Sequence, residues 1–154
     1  MLPELQTGLA RAGRSRESLQ VSGGGFVVTG ATDEDVASSV EFHRQRIAFY
    51  GSTRAYWPVL EQHDLLDVGQ QLNVMARNNQ WQDMPAVVSD DMLQLFCAIG
   101  RHDQIADEIA RQFGGLSDAI SDSASYDMPG QLPGAVIEDI QAIPGQFAGF
   151  CPAD

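Results

Sequence analysis

Strand-forming residues are scarce in this chain, and the few runs that exist are held apart by long helical stretches. The first strand region covers 19–29 and centres on Phe26, Val27, Val28 and Thr29, a β-branched and aromatic run. A second covers 93–99, where Leu95, Phe96, Cys97, Ala98 and Ile99 lead into Gly100. The third covers 116–121, after Gly114 and Gly115. Strands separated by helices pair in parallel, because a chain that crosses back over a sheet needs the length a helix supplies. The pattern predicts an α/β fold with a parallel sheet. About three strands are few: a complete (β/α)8 barrel takes about 250 residues, against 154 here.

Capping and periodicity place the helices. Residues 3–13 look like the end of a helix, with Leu5 and Leu9 four apart and Gly13 as a stop. Thr32 stands as an N-cap before Asp33, Glu34 and Asp35, and those charges suit the positive end of a helix. Val36, Val40, His43, Ile47 and Tyr50 then recur at steps of three and four, one helical stripe that Gly51 ends. Residues 53–77 read as mostly helical, with Pro58 near the start of a turn, and 81–88 as a short helix broken by Pro85. Ile105, Ile109 and Phe113 define the next helix; Val136, Ile137, Ile140 and Ile143 define the last, closed by Pro144. The stretch 121–133, rich in Ser, Asp, Gly and Pro, reads as a flexible loop, and 145–154 as a frayed tail. At Gly23, Gly24 and Gly25 a bulge or a close backbone approach is expected.

Charge narrows the function. The net charge is −12, and all nine basic residues are Arg. That balance repels phosphate backbones and argues against a nucleic-acid partner; without Lys there is no Schiff-base chemistry. Hydrophobic residues at 44% and charged residues at 19% place the chain with globular proteins. No apolar run nears the roughly 18 residues of a membrane span. The start, Met1-Leu2-Pro3-Glu4, lacks the basic-then-apolar pattern of a secretory signal. A cytoplasmic protein with no membrane partner is the expectation. Cys97 and Cys151 form no CxxC pair and have no His at zinc spacing, so no metal site is expected. Cys97, inside an apolar run, reads as a buried structural thiol.

Several motifs are considered and set aside. Val27 to Thr32 faintly resembles a dinucleotide-binding turn, but three carboxylates follow where further glycines are needed. His43 lies on the apolar stripe of its helix and reads as a packed core histidine. His63 and His102 fall near a helix end and a helix start, where exposed capping roles are common. No GxSxG elbow or Ser-His-Asp set can be assembled. No catalytic or cofactor-binding residue is assigned.

The run from Ile47 to Leu60 is the most unusual. Phe49, Tyr50, Tyr56 and Trp57, two hydroxyls at Ser52 and Thr53, and the cation Arg54 cluster around the Gly51 break. Aromatic walls with a few polar groups suit a planar ligand; a helix corner filled by aromatics is the equal alternative on spacing alone. Ile47-Ala48-Phe49-Tyr50-Gly51-Ser52-Thr53, Tyr56 and Pro58-Val59-Leu60 resemble a stretch of the luciferase-like monooxygenase superfamily, in the branch that uses coenzyme F-420. Gly8 to Arg14, Phe26 to Glu34, Ala98 to Gly100 and Gly114 to Leu116 resemble further parts of that family in the same order, so the similarity spans about residues 8–120.

The resemblance implies a single C-terminal half-barrel fragment over 1–154: a partial (β/α)8 TIM barrel, roughly strands 6–8, with a helix-rich insertion between the first two strands. It implies an oxidoreductase using F-420 or FMN for hydride transfer or monooxygenation of a small organic substrate, inactive as an isolated fragment. Phe49, Tyr50, Ser52, Thr53 and Tyr56 are its candidates for lining the substrate or coenzyme side of the pocket. The partner expected is a missing N-terminal half or a second copy in a homodimer. A non-catalytic dimeric flavin-binding or structural protein of the same fold is the alternative.

Overall fold

The computed structural model describes residues 2–120 and 132–149. They fall into two compact units, one formed by Val28–Arg101 and the other by Met1–Val27 with His102–Asp154.

In the Val28–Arg101 unit, strand β1 (Phe26–Gly30), which begins two residues earlier, leads straight into helix α2 (Asp33–Gly51). Thr32 closes a capping box: its side chain accepts from the Asp35 N–H, and the Asp35 carboxylate accepts from the Thr32 N–H at 3.0 Å. Gly30 makes the tight entry feasible. A Cβ there would lie 2.5 Å from Asp35 Cβ and 2.7 Å from the Val36 amide nitrogen. Along α2, Ser39, His43, Ile47, Ala48 and Gly51 are buried, while Val36, Val40 and Tyr50 are half-buried. The buried face is thus one position off the expected stripe at each end, and His43 sits at its centre with Nδ1 2.8 Å from the Ser39 carbonyl.

A 3-10 turn (Arg54–Tyr56) and helix α3 (Trp57–Glu61) follow, then helix α4 (Leu66–Arg77), which packs against α2 and α3. The stretch 53–77, expected to be mostly helical, holds that turn and two helices, with a break where Asp64 takes a positive φ of 57°. Close approach is possible because Gly69 faces Leu60 and Trp57; a Cβ there would come within 2.7 Å of the Leu60 side chain. Residues 81–88 hold a 3-10 turn (Met84–Val87) in place of an α-helix, as Pro85 removes a donor from the turn.

The second strand region is corrected most. Helix α5 (Asp90–Phe96), capped by Ser89 onto the Met92 N–H, occupies much of it. Strand β2 starts only at Cys97 and runs to Arg101. A contiguous apolar run carries no period, so Leu95 and Phe96 could not be told from strand. β1 and β2 pair in parallel as a two-stranded sheet, joined by the helical excursion α2–α5.

In the other unit, helix α1 (Leu2–Arg11) ends at Gly13, whose φ is 63°. Helix α6 (Ile105–Phe113) buries Ile105, Ile109 and Phe113 at spacings of four and packs against helix α7 (Gly134–Gln141) through a core that includes Val136. Of the third strand expected over 116–121, the described residues 116–120 form no strand. They form a single parallel bridge, Ser22 with Ala119, closed by Gly23 N–H to the Ala119 carbonyl at 3.0 Å. A backbone turn at Gly115 and the half-exposed Leu116 leave too short a run to pair further. Gly24 adopts φ 130°, and a Cβ there would stand only in ordinary contact with Ile120 and Phe113, while Gly23 faces open space, so it is the backbone angle at Gly24 that asks for glycine.

Asp118 organises this unit. Its side chain is 4% exposed and accepts four hydrogen bonds: from the Arg16 guanidinium at 2.7 Å and from the N–H groups of Val21, Gln146 and Phe147. Residues 146–148 are held there and by Ala148 N–H to the Glu17 carbonyl. Burial works against the charge on Asp118, but the four donors outweigh it and hold its pKa down at about 2. The loop expected over 121–133 lies outside the described residues except for 132 and 133, as does the tail beyond 149.

Candidate functional site

Helix α2 ends at Gly51, and the chain turns sharply there to start the Arg54–Tyr56 turn. That corner carries the candidate residues. Phe49 and Tyr56 are 53% and 45% exposed, and Tyr50 lies half-buried between them. The rings meet edge to face: Phe49 and Tyr50 centroids are 5.8 Å apart, Tyr50 and Tyr56 5.2 Å, within the range where aromatic pairs attract. Trp81 joins from beyond α4, 6.3 Å from Phe49 and 40% exposed. Sequence reading missed Trp81; its only signal was a large aromatic set in a polar stretch.

The two hydroxyls behave differently from expectation. Ser52 is buried, and its Oγ donates to the Phe49 carbonyl at 2.7 Å; Thr53 Oγ1 points at the same carbonyl at 3.5 Å. Both turn to a single carbonyl at the helix end, that of Phe49. Asn73 Nδ2 donates to the Ser52 carbonyl at 2.8 Å and Trp57 Nε1 to the Gly51 carbonyl at 3.2 Å, so α3 and α4 lock the corner. Arg54 lies over the Trp57 ring, 5.5 Å from its centroid. The result is a preformed aromatic surface on a braced corner.

Ligands of open α/β sheets sit beyond the carboxyl ends of the strands. Here those ends are Gly30 and Arg101. Arg101 Nη1 lies 3.9 Å from the Asp33 carboxylate, and Glu34 and Asp35 share that helix turn. A phosphate would meet three carboxylates and one cation. A phosphate-bearing coenzyme such as FMN or F-420 therefore does not fit on these residues by themselves, and the aromatic corner stands at the opposite end of α2, about 27 Å along the helix.

Cys97 is buried, and burial pushes its thiol up to about 12, which removes it as a nucleophile. Among the described residues no group of three or more His, Cys, Asp or Glu is placed to hold a metal ion, and no helix is long and apolar enough to cross a membrane.

Comparison with known proteins converges on one family. The family model described as luciferase-like monooxygenase matches residues 1–117. Proteins of Mycobacterium bovis and of two Mycobacterium tuberculosis strains, all named as uncharacterized, are each 39% identical over 119 residues, which is 77% of this chain. The chain spans about a third of the length of these relatives, the matched stretch being 35% of each. No solved structure matches. The aromatic corner lies inside the matched range, and the chain belongs to the luciferase-like monooxygenase family.

Proposed function

We propose that the chain supplies the ring-facing aromatic wall of a luciferase-type oxidoreductase that works with F-420 or FMN. The observation that carries this is the braced cluster Phe49, Tyr50, Tyr56 and Trp81, preformed within the family-matched residues. In the complete protein the coenzyme supplies hydride transfer or monooxygenation of a small organic substrate. This chain's residues bind and orient a flat ring and keep water from one of its faces. Phosphate anchoring comes from elsewhere in the fold.

Trp57 and Trp81 report on the wall directly. Titration with riboflavin and with FMN should quench their fluorescence with equal affinity, because no phosphate site contributes. Phe49→Ala and Tyr56→Ala should each weaken both ligands several-fold. FMN binding more than about tenfold tighter than riboflavin, a gain one charge-assisted phosphate contact can supply, would overturn the assignment; so would quenching indifferent to both substitutions. A non-catalytic binding protein is the second reading. It is favoured by the commitment of the Ser52 and Thr53 hydroxyls to the Phe49 carbonyl, which leaves neither of them aimed at a bound ring.

A further inference from the structure

We infer that the unit holding α6 and α7 carries a binding site of its own, in the cavity that those helices line, for a small uncharged ring bearing one hydrogen-bonding oxygen. The site shares no residue with the aromatic corner and does not rest on the coenzyme reading.

The cavity holds about 330 Å³, within the range of small-molecule pockets. Ile109 and Phe113 of α6 and Ile140 of α7 line it, together with Ile120 and Ile143. Ile109 and Phe113 are buried, but Ile120, Ile140 and Ile143 are only half-buried. Three isoleucines thus keep apolar surface in contact with water, and an apolar ring that displaces this water binds at a gain. Room remains because Gly114, Ala119 and Gly145 stand in the wall with little or no side chain.

The polar groups narrow the ligand. Asp118 is part of the wall, yet its carboxylate already accepts four hydrogen bonds, which leaves no free charge for a cation. Among the described residues no Arg or His lines the cavity, so an anion meets no counter-charge. Gln141 is exposed, where water serves its amide. Ser117 differs from these. It lines the cavity, and its Oγ is buried with no hydrogen-bond partner among the described residues. A buried hydroxyl left unpaired is costly, and a ligand oxygen that pairs with it removes that cost.

The test uses the whole chain, isotope-labelled at its isoleucine methyl groups and followed by NMR. Titration with phenol and with toluene is expected to shift the Ile120, Ile140 and Ile143 methyls. Ser117→Ala should weaken phenol about fivefold, the worth of one neutral hydrogen bond, and leave toluene unchanged. Benzoate should not compete with either. Phe49→Ala should leave both affinities at these methyls as they are. Unmoved methyls overturn the inference, and so does benzoate that competes as well as phenol. A Ser117→Ala variant that weakens the two rings alike, or neither, overturns it too. Should that variant fail to fold, the wild-type shifts and the exclusion of benzoate decide alone. Phenol shifts that persist where riboflavin quenching fails uphold this site and defeat only the coenzyme reading.

Discussion

Asp118 shows how one side chain can organise a region whose backbone makes little regular structure. It joins residues 16–21, 118 and 146–147, which share no helix or sheet beyond one bridge. Its pKa of about 2 lies below the ordinary value of about 3.9 in an unfolded chain. A depressed carboxyl contributes stability that is complete above the unfolded value and is lost as pH falls through the folded one. Melting temperature should therefore drop between pH 4 and pH 2, and Asp118→Asn should abolish that part of the pH dependence. At neutral pH the variant should lose about 3 kcal/mol, since it leaves the part-buried Arg16 without its charge partner. A melting curve for Asp118→Asn that still falls with the wild-type slope would refute this role. Cys97 makes the opposite case. Its thiol, pushed to about 12 by burial, should resist iodoacetamide at pH 8 in the native protein and react at once in denaturant. Peptide mapping that finds Cys97 alkylated under native conditions would contradict its burial. The burial of Cys97 was readable from its apolar run, but the role of Asp118 was not: a lone Asp after a Gly-Gly-Leu-Ser run gives no hint of donors about a hundred residues before it and about thirty after.

At the scale of elements, local signals worked where caps and period agree. Thr32 with Asp35 announced α2, and Ile105, Ile109 and Phe113 announced α6; both helices stand where their residues placed them. The signals failed where two elements share one apolar run. Leu95 to Ile99 is half helix and half strand, and only the Ser89 cap fixes which half. The β1–α2 junction offers a direct test. Gly30→Ala should destabilise by about 2 kcal/mol, as overpacking against backbone atoms does. Thr32→Ala, which removes one cap, should cost about 1 kcal/mol. Urea denaturation would rank them, and a Gly30→Ala variant as stable as wild type would mean the helix start can shift freely. The aromatic corner was legible as a cluster, because Phe49, Tyr50 and Tyr56 are close in sequence. Trp81 was not, since it reaches Phe49 only through the turn that follows α4. The hydroxyls of Ser52 and Thr53 were misjudged in emphasis: free carbonyls at a helix end claim them first.

For the whole molecule, the sequence by itself determined the alternation of strand and helix, the long helical excursion between the first two strands and the family. These depend on contacts within a few turns of chain, where spacing and capping are decisive. Tertiary structure decided which segments pair: among the described residues these are two strands plus one bridge where three strands were read. It also decided which aromatics share a surface, and it brought Arg101 and Asp33 together at the strand ends. Strand pairing and carboxylate partners are long-range: a residue that reads as β by its neighbours becomes a strand only if another segment arrives to accept its hydrogen bonds. Among the described residues, 116–120 meet the facing segment around Val21 to Gly23 in a single bridge and pair no further, and no local pattern could have said so.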